Sequence, residues 1–284
     1  MHVINTIADT RRILSQQREQ KSSIGFVPTM GALHEGHLSL VDRSVRENDY
    51  TAISIFVNPL QFGPDEDLDA YPRTADADKR AAKNHGVDLV FHPSAKEILS
   101  EEMLTFVDVE QLQDNLCGTS RPGHFRGVCT IVTKLFNIIR PDRAYFGQKD
   151  IQQYIIIEKM VQDLNFDIDL VRCPIVREYD GLAMSSRNKY LNDKERKDAA
   201  ILSRCIKEAV KMVENGERST EIILSRLKDM INQVDTAQID YVKIVDRNMR
   251  DLETIKHGDI LALAVYIGST RLIDNHIIGD PVMF

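Results

Sequence analysis

Two histidines three residues apart, His34 and His37, flank Gly36 in the stretch FVPTMGALHEGHLSL, residues 26 to 40. Imidazoles donate hydrogen bonds and can carry charge near neutral pH. Glycines let a backbone approach a ligand closely. The stretch opens with an apolar run, breaks at Gly31, and resumes with Leu38, Val41 and Val45 at helical spacing. A strand-to-helix turn of this kind presents free N–H groups and the positive end of the helix dipole to an anion. The chemistry it suggests is phosphate binding, with both imidazoles aimed at the phosphate. The spacing of Gly31 and Gly36 imitates a P-loop, but that loop needs Lys and then Ser or Thr where His37 and Leu38 stand. HEGH imitates a zinc-protease helix, whose two histidines lie four apart rather than three. A packed histidine that caps the helix is the structural alternative.

Three further stretches carry usable groups. In FVNPLQFGPDEDLDAYPRT, residues 56 to 74, Asn58 and Gln61 follow a strand-like run. Neutral amides there can read the hydroxyls and carboxylate of a small acid, although Asn, Pro and Gly also serve turns. In PDRAYFGQKDIQQY, residues 141 to 154, Lys149 and Asp150 stand at the start of a helix, and Gln153 shares a face with Asp150. Such a lysine can face a phosphate or simply be solvated. In MSSRN, residues 184 to 188, two hydroxyls adjoin an arginine, a common set of phosphate ligands.

These groups need a scaffold. Apolar runs at 22 to 28, 51 to 58, VDLVFHP, AYF and DIDLVRCPIV read as strands. Between them EGHLSLVDRSVRENDY, RTADADKRAAKNHG ending at Gly86, VCTIVTKLFNIIR stopping before Pro141, and DIQQYIIIEKMVQDLN read as helices. Alternating strands and helices make a parallel sheet with helices on both faces, and its ligands bind outside the carboxyl ends of the strands. The N-terminal MHVINTIADTRRILSQQREQ reads as an amphipathic helix and lacks the apolar core of a signal peptide. After REYDGLAMSSRNKYL the pattern changes to two helices, about 193 to 215 and 219 to 233, and then three strand-like runs. The expected architecture is a Rossmann-like α/β domain over 1–176, binding nucleotide and acid, and a smaller α+β domain over 177–284 that covers the active site.

Bulk properties narrow the class. The chain has 284 residues, 43% hydrophobic and 28% charged, which is ordinary for a globular protein. It contains no apolar run near the roughly 18 residues of a membrane helix, and a cytoplasmic location is expected. A net charge of −7 without a Lys/Arg block disfavours nucleic acid as a partner. Cys117, Cys129, Cys173 and Cys205 are too scattered for a zinc site or a disulfide framework, and read as reduced, buried thiols.

The His-x-Gly-His signature with a later Met-Ser-Ser loop resembles the nucleotidylyltransferase superfamily. Taken in order, PTMGALHEGH, FVNPLQFGP, DLDAYPRT, GHFRGV, RPDRAYFGQKD and MSSRN resemble the pantoate–β-alanine ligase family along essentially the full chain. The resemblance implies an acid–amine ligase that uses ATP and Mg²⁺ and acts as a homodimer. Pantoate attacks the α-phosphorus of ATP, releasing pyrophosphate, and β-alanine then captures the pantoyl adenylate to give pantothenate and AMP. It implies ATP contacts from Met30, Gly31, Ala32, Leu33, His34, Glu35, Gly36 and His37, from Gly147, Gln148, Lys149 and Asp150, and from Val176, Met184, Ser185, Ser186 and Arg187. His37, His34 and Lys149 would be catalytic. Gln61, Gln153 and Asn58 would hold pantoate, Gln61 would also meet β-alanine, and Asp78 or Asp76 would help place the metal. An adenylyltransferase acting on a phosphate ester would want more cations than these neutral amides. A tRNA-charging enzyme would want a basic accessory surface. A non-catalytic nucleotide module would leave the His, Lys and Arg set unexplained.

Overall fold

The computed structural model describes residues 1–64 and 66–281. Its internal contacts divide the chain into two compact units. The first comprises Met1–Val109, Arg121–Gly147 and Gln153–Pro174; the second comprises Glu110–Ser120, Gln148–Gln152 and Ile175–Phe284.

The first unit holds strands β1 (His2–Ile4), β2 (Ile24–Thr29), β3 (Tyr50–Ile55), β4 (Leu89–Phe91), β5 (Arg143–Gly147) and β6 (Asp169–Cys173). They form one sheet in the order β1-β4-β3-β2-β5-β6, and every pairing is parallel. Helices α1 (Ile7–Glu19), α2 (Glu35–Glu47), α3 (Ala75–Asn84) and the short α4 (Ala95–Ile98) fall between the early strands. After the four-residue α5 (Cys117–Ser120) of the second unit come α6 (His124–Ile139) and α7 (Ile151–Asp163). All six residues of β3 are buried, as a strand covered on both faces requires. Val27, Val41, Ile53, Val90 and Tyr145 meet in one core cluster between strands and α2. Each such aliphatic side chain contributes about 1.5–3 kcal/mol on burial.

The strand order reverses between β2 and β5, and there the sheet opens. The β2–β5 register covers only Gly25 with Arg143 and Phe26 with Ala144, while β2 stays paired with β3 as far as Thr29. Pro28, which has no N–H to pair, lies in the diverging end. The strands therefore part at their carboxyl ends, where an open α/β sheet takes its ligand.

The second unit holds α8 (Asp193–Asp198), α9 (Ile201–Glu214), α10 (Thr220–Asn232) and strands β7 (Ala237–Val245), β8 (Ile260–Ile267) and β9 (Thr270–Ile277). The strands form an antiparallel sheet in that order, and β7 carries a bulge between Ile239 and Tyr241. Leu202, Ile206, Ile223, Leu227, Leu261 and Leu263 belong to one core beneath it.

Several local expectations needed correction. The N-terminal stretch starts as an edge strand on β4, and α1 begins only after Thr6, whose side chain accepts the Asp9 N–H. The helix expected over 193 to 215 is two helices; the backbone between them stays right-handed through Ala199 and Ala200, so no Gly or Pro marks the break. The helix expected from Asp150 starts at Ile151, after a 3-10 turn over Gln148–Asp150. Among the described residues no helix is long and apolar enough to cross a membrane. The four cysteines are buried and form no disulfide.

Candidate active site

The turn that joins β2 to α2 is held in an uncommon conformation. Gly31 has φ +88° and Ala32 φ +51°. A left-handed residue other than glycine costs on the order of 1–3 kcal/mol and persists only where its surroundings hold it. Asp78 supplies that hold. Its carboxylate accepts the Ala32 N–H at 3.0 Å and the Leu33 N–H at 2.8 Å, and the Thr74 hydroxyl lies 3.1–3.2 Å from both oxygens. Hydrogen bonds to a charged group contribute about 1.5–3 kcal/mol each, enough to offset the strain. A Cβ on Gly31 would stand 3.0 Å from the Asp78 Oδ2 and 3.1 Å from Ile55 Cγ2. Thr29 adds a third tie, donating to the Ser54 carbonyl at 2.7 Å and accepting the Gly31 N–H at 3.2 Å.

His34 ends this turn as the N-cap of α2, and its Nδ1 accepts the Gly36 N–H at 3.1 Å. The bond uses Nδ1 as acceptor and so places the ring hydrogen of the neutral imidazole on Nε2. The His37 ring lies against it, centroid to centroid 4.1 Å at 39°. Capping the helix is thus compatible with the ligand contact expected of His34. The pair stands at a helix N-terminus just past the diverging end of β2.

Asn58 is 2% exposed and caps the 3-10 turn Pro59–Gln61. Its Oδ1 accepts the Leu60 N–H at 3.0 Å, and its Nδ2 donates to Gln61 Oε1 at 2.9 Å and to the Gly127 carbonyl at 3.1 Å. Asn58 thus orients Gln61; its amide is committed inside the protein, which speaks against its expected contact with the acid. Because Gln61 Oε1 already accepts from Asn58, Gln61 presents its NH₂ group as donor, the correct polarity for a carboxylate or hydroxyl oxygen. The Gln61 carbonyl accepts from His124 Nδ1 at 2.8 Å and from the Arg121 guanidinium at 3.3 Å. Arg121 also donates to His124 Nε2 at 3.1 Å, which sets that imidazole as the neutral Nδ1–H tautomer. Arg121 is itself held by Glu66 at 2.8 Å. Neither Arg121 nor His124 is among the site residues expected from sequence; the GHFRGV motif contains His124, and no motif marks Arg121.

A pocket of about 340 Å³ opens beside this turn, beyond the ends of β3 and β4, lined by Met30, Phe56, Pro59, Thr74, Asp78 and His92 among others. Burial, assisted by the Lys79 ammonium, pushes the His92 imidazole below its usual range. Gln61 and Gln153 do not line this pocket. Gln153 lies half-buried in the first turn of α7.

In the second unit, Lys149 and Asp150 share the 3-10 turn after β5, with Nζ 3.4 Å from both carboxylate oxygens. The buried Gln152 amide donates to the Leu112 and Asn115 carbonyls and accepts the Cys117 N–H at 3.0 Å. The stretch from Val176 to Met184 folds back on itself. The Met184 N–H bonds to the Val176 carbonyl at 2.9 Å, and Arg177 bridges Ala183. Ser185 then caps the 3-10 turn Ser186–Tyr190, accepting the Arg187 N–H at 3.3 Å. Asn188 donates to Glu178 at 2.6 Å and to the Ala183 carbonyl at 3.1 Å, which closes the loop.

The acidic pair expected to place a metal is not arranged for it. Asp78 is 3% exposed with both oxygens engaged by N–H and O–H donors. Asp76 is 88% exposed at its side chain and pairs with Lys79 at 3.8 Å. Among the described residues no group of three His, Cys, Asp or Glu could hold an ion.

Known proteins supply an independent test. The sequence pattern of the family described as pantoate-beta-alanine ligase matches residues 2–277. A pantothenate synthetase of Acetivibrio thermocellus is 54% identical over 279 residues, 98% of this chain and 99% of the relative. The crystal structure of pantothenate synthetase from Thermus thermophilus superposes with a TM-score of 0.93 at 41% identity, covering 98% of this chain and 99% of that one. The pantoate-beta-alanine ligase of Francisella tularensis, solved with β,γ-ATP and β-alanine, superposes with a TM-score of 0.79 at 32% identity, covering 98% and 97%.

Proposed function

The chain belongs to the pantoate–β-alanine ligase family, and we infer that it carries out that family's reaction. It condenses (R)-pantoate with β-alanine, using ATP, to give pantothenate, AMP and pyrophosphate by way of a pantoyl adenylate. A carboxylate oxygen attacks the α-phosphorus, and the bond to the bridging oxygen breaks to release pyrophosphate. The amine nitrogen of β-alanine, having lost its proton, then attacks the acyl carbon and AMP leaves with the shared oxygen. No protein nucleophile is required. The work of the residues is to align the reactants and to stabilise charge that builds on the phosphates.

The observation that carries this reading is the His34–His37 ring pair at the N-terminus of α2, past the end of β2 where β2 and β5 part. We assign the stretch Met30 to His37, Gly147 to Asp150, Val176, and Met184 to Arg187 to ATP, with His37, His34 and Lys149 stabilising the phosphate charge. Gln61 and Gln153 are assigned to pantoate, and Gln61 also to β-alanine; the donor polarity of Gln61 supports its share. Asn58 acts through Gln61. Magnesium is assigned to the nucleotide, since Mg²⁺ keeps water and phosphate oxygens as ligands and Asp76 and Asp78 do not form a site for it. The dependence on ATP favours the cytoplasm, and the family suggests a homodimer, which the hydrated size of the purified protein would test.

The experiment is a turnover assay with pantoate, β-alanine and Mg-ATP that follows AMP and pyrophosphate. AMP release must depend on both acid and amine. Release that proceeds with a phosphate ester in place of pantoate would point to a nucleotidyl transfer instead.

A further inference from the structure

Two segments of the second unit carry residues assigned above to the nucleotide, and both are tied to one dipeptide of β9. Asn275 is 2% exposed, and its Nδ2 donates to the Gln148 carbonyl at 2.9 Å and to the Lys149 carbonyl at 2.8 Å. Both amide hydrogens therefore hold the turn that presents Lys149. The adjacent Asp274, also 2% exposed, takes the Arg177 guanidinium in a two-pronged bond of 2.7 and 3.0 Å. Arg177 donates onward to the Gly181 carbonyl at 3.0 Å, bracing the fold-back between Val176 and Met184. Neighbouring residues of a strand point to opposite faces, so one dipeptide can serve two loops.

These bonds do little for the sheet. The β9 backbone is paired with β8 from Thr270 to Ile277 without them. Asn275 also leaves its Oδ1 buried with no hydrogen-bond partner among the described residues. A buried acceptor without a partner is unfavourable, so an apolar side chain would suit the strand better. What asparagine adds is a pair of donors directed at two loop carbonyls.

We propose that Asn275 and Asp274 are positioning residues for adenylation. Asn275 sets the Lys149 turn, and Asp274, through Arg177, sets the Val176–Met184 fold-back that leads into Ser185, Ser186 and Arg187. The proposal rests on the assignment of those segments to ATP.

The test compares Asn275→Ala with Lys149→Ala, the double variant, and Leu272→Val, a control that loosens the β9 core and keeps the Asn275 and Asp274 bonds. The readouts are thermal unfolding, KM for ATP and for pantoate, and exchange of labelled pyrophosphate into ATP. A displacement of ~1 Å in a positioned group costs on the order of 10²-fold in rate. The expected result for Asn275→Ala is exchange slowed on the order of 10²-fold and a raised KM for ATP. KM for pantoate should hold, and the double variant should be no slower than Lys149→Ala, since the two act through one turn. Leu272→Val should melt earlier with unchanged kinetics. Should Asn275→Ala not fold, Asn275→Ser, which keeps one donor, is read the same way. An Asn275 variant that melts earlier but exchanges like the unmodified protein, while Lys149→Ala is inactive, overturns the positioning role alone. A Lys149→Ala protein with normal ATP kinetics overturns the nucleotide assignment, and the proposal with it.

Discussion

The Asp78 carboxylate accepts the backbone N–H of Leu33 at 2.8 Å, from 45 residues further along the chain. With its second bond, to the Ala32 N–H, it holds the left-handed turn that delivers His34 and His37 to the head of α2. Asp78→Ala should leave two buried N–H groups without acceptors, a loss of about 2–4 kcal/mol. Asp78→Asn can still accept from one of them and should lose less. Urea unfolding measures both, and a fully stable Asp78→Ala protein would show that the turn is held by other means.

Charge stabilisation at the phosphates predicts the effect of removing either cationic or donor side chain. His37→Ala and Lys149→Ala should each slow adenylate formation by on the order of 10²- to 10³-fold. Both side chains are only partly buried, so the unfolding midpoint should barely move. Near-normal turnover by a folded variant removes that residue from the mechanism.

Gln153 is assigned to the acid and not to the nucleotide. Leaving a substrate oxygen unpaired costs about 1–3 kcal/mol, so Gln153→Ala should weaken pantoate binding by about tenfold while ATP binding holds. Calorimetry with each substrate separately decides it. Loss of ATP affinity with pantoate affinity retained would mean that the two pockets have been assigned the wrong way round.

Gly127 lets α6 lie directly on the turn that carries Gln61. A Cβ there would stand 2.1 Å from the Leu60 carbonyl oxygen and 2.7 Å from the Gln61 nitrogen. Because the obstacle is backbone, it cannot rotate away, and Gly127→Ala should cost about 1–3 kcal/mol through overpacking. It should also raise KM for pantoate by displacing Gln61. A Gly127→Ala protein as stable and as active as the parent would contradict this packing.

An acyl adenylate that forms before the amine arrives should be visible by isotope exchange. Labelled pyrophosphate should enter ATP with enzyme, pantoate and Mg-ATP alone, since the first step needs no β-alanine. A strict requirement for β-alanine would replace the two-step route with a concerted one.

Much of this protein was legible in its sequence because the signals are local. The strand and helix periods over β2, α2, β3 and α6, the stop before Pro141, and the turn at Gly86 each depend on a handful of consecutive residues. The candidate stretches around His34 and His37, Gln61, Lys149 and Ser185 stand out in the sequence for the same reason, as short local motifs. What only the tertiary structure decided is how those stretches are held. Asp78 reached the Ala32–Leu33 turn, and Asn58 turned inward onto Gln61. His124 and Arg121 closed on the Gln61 carbonyl from about 60 residues away, and Asn275 on the Lys149 turn from 126 residues away. A hydrogen bond between residues that far apart has no local period to betray it. It exists because the folded chain removes both groups from water, where an unpaired donor or acceptor is costly, and so each must find the other.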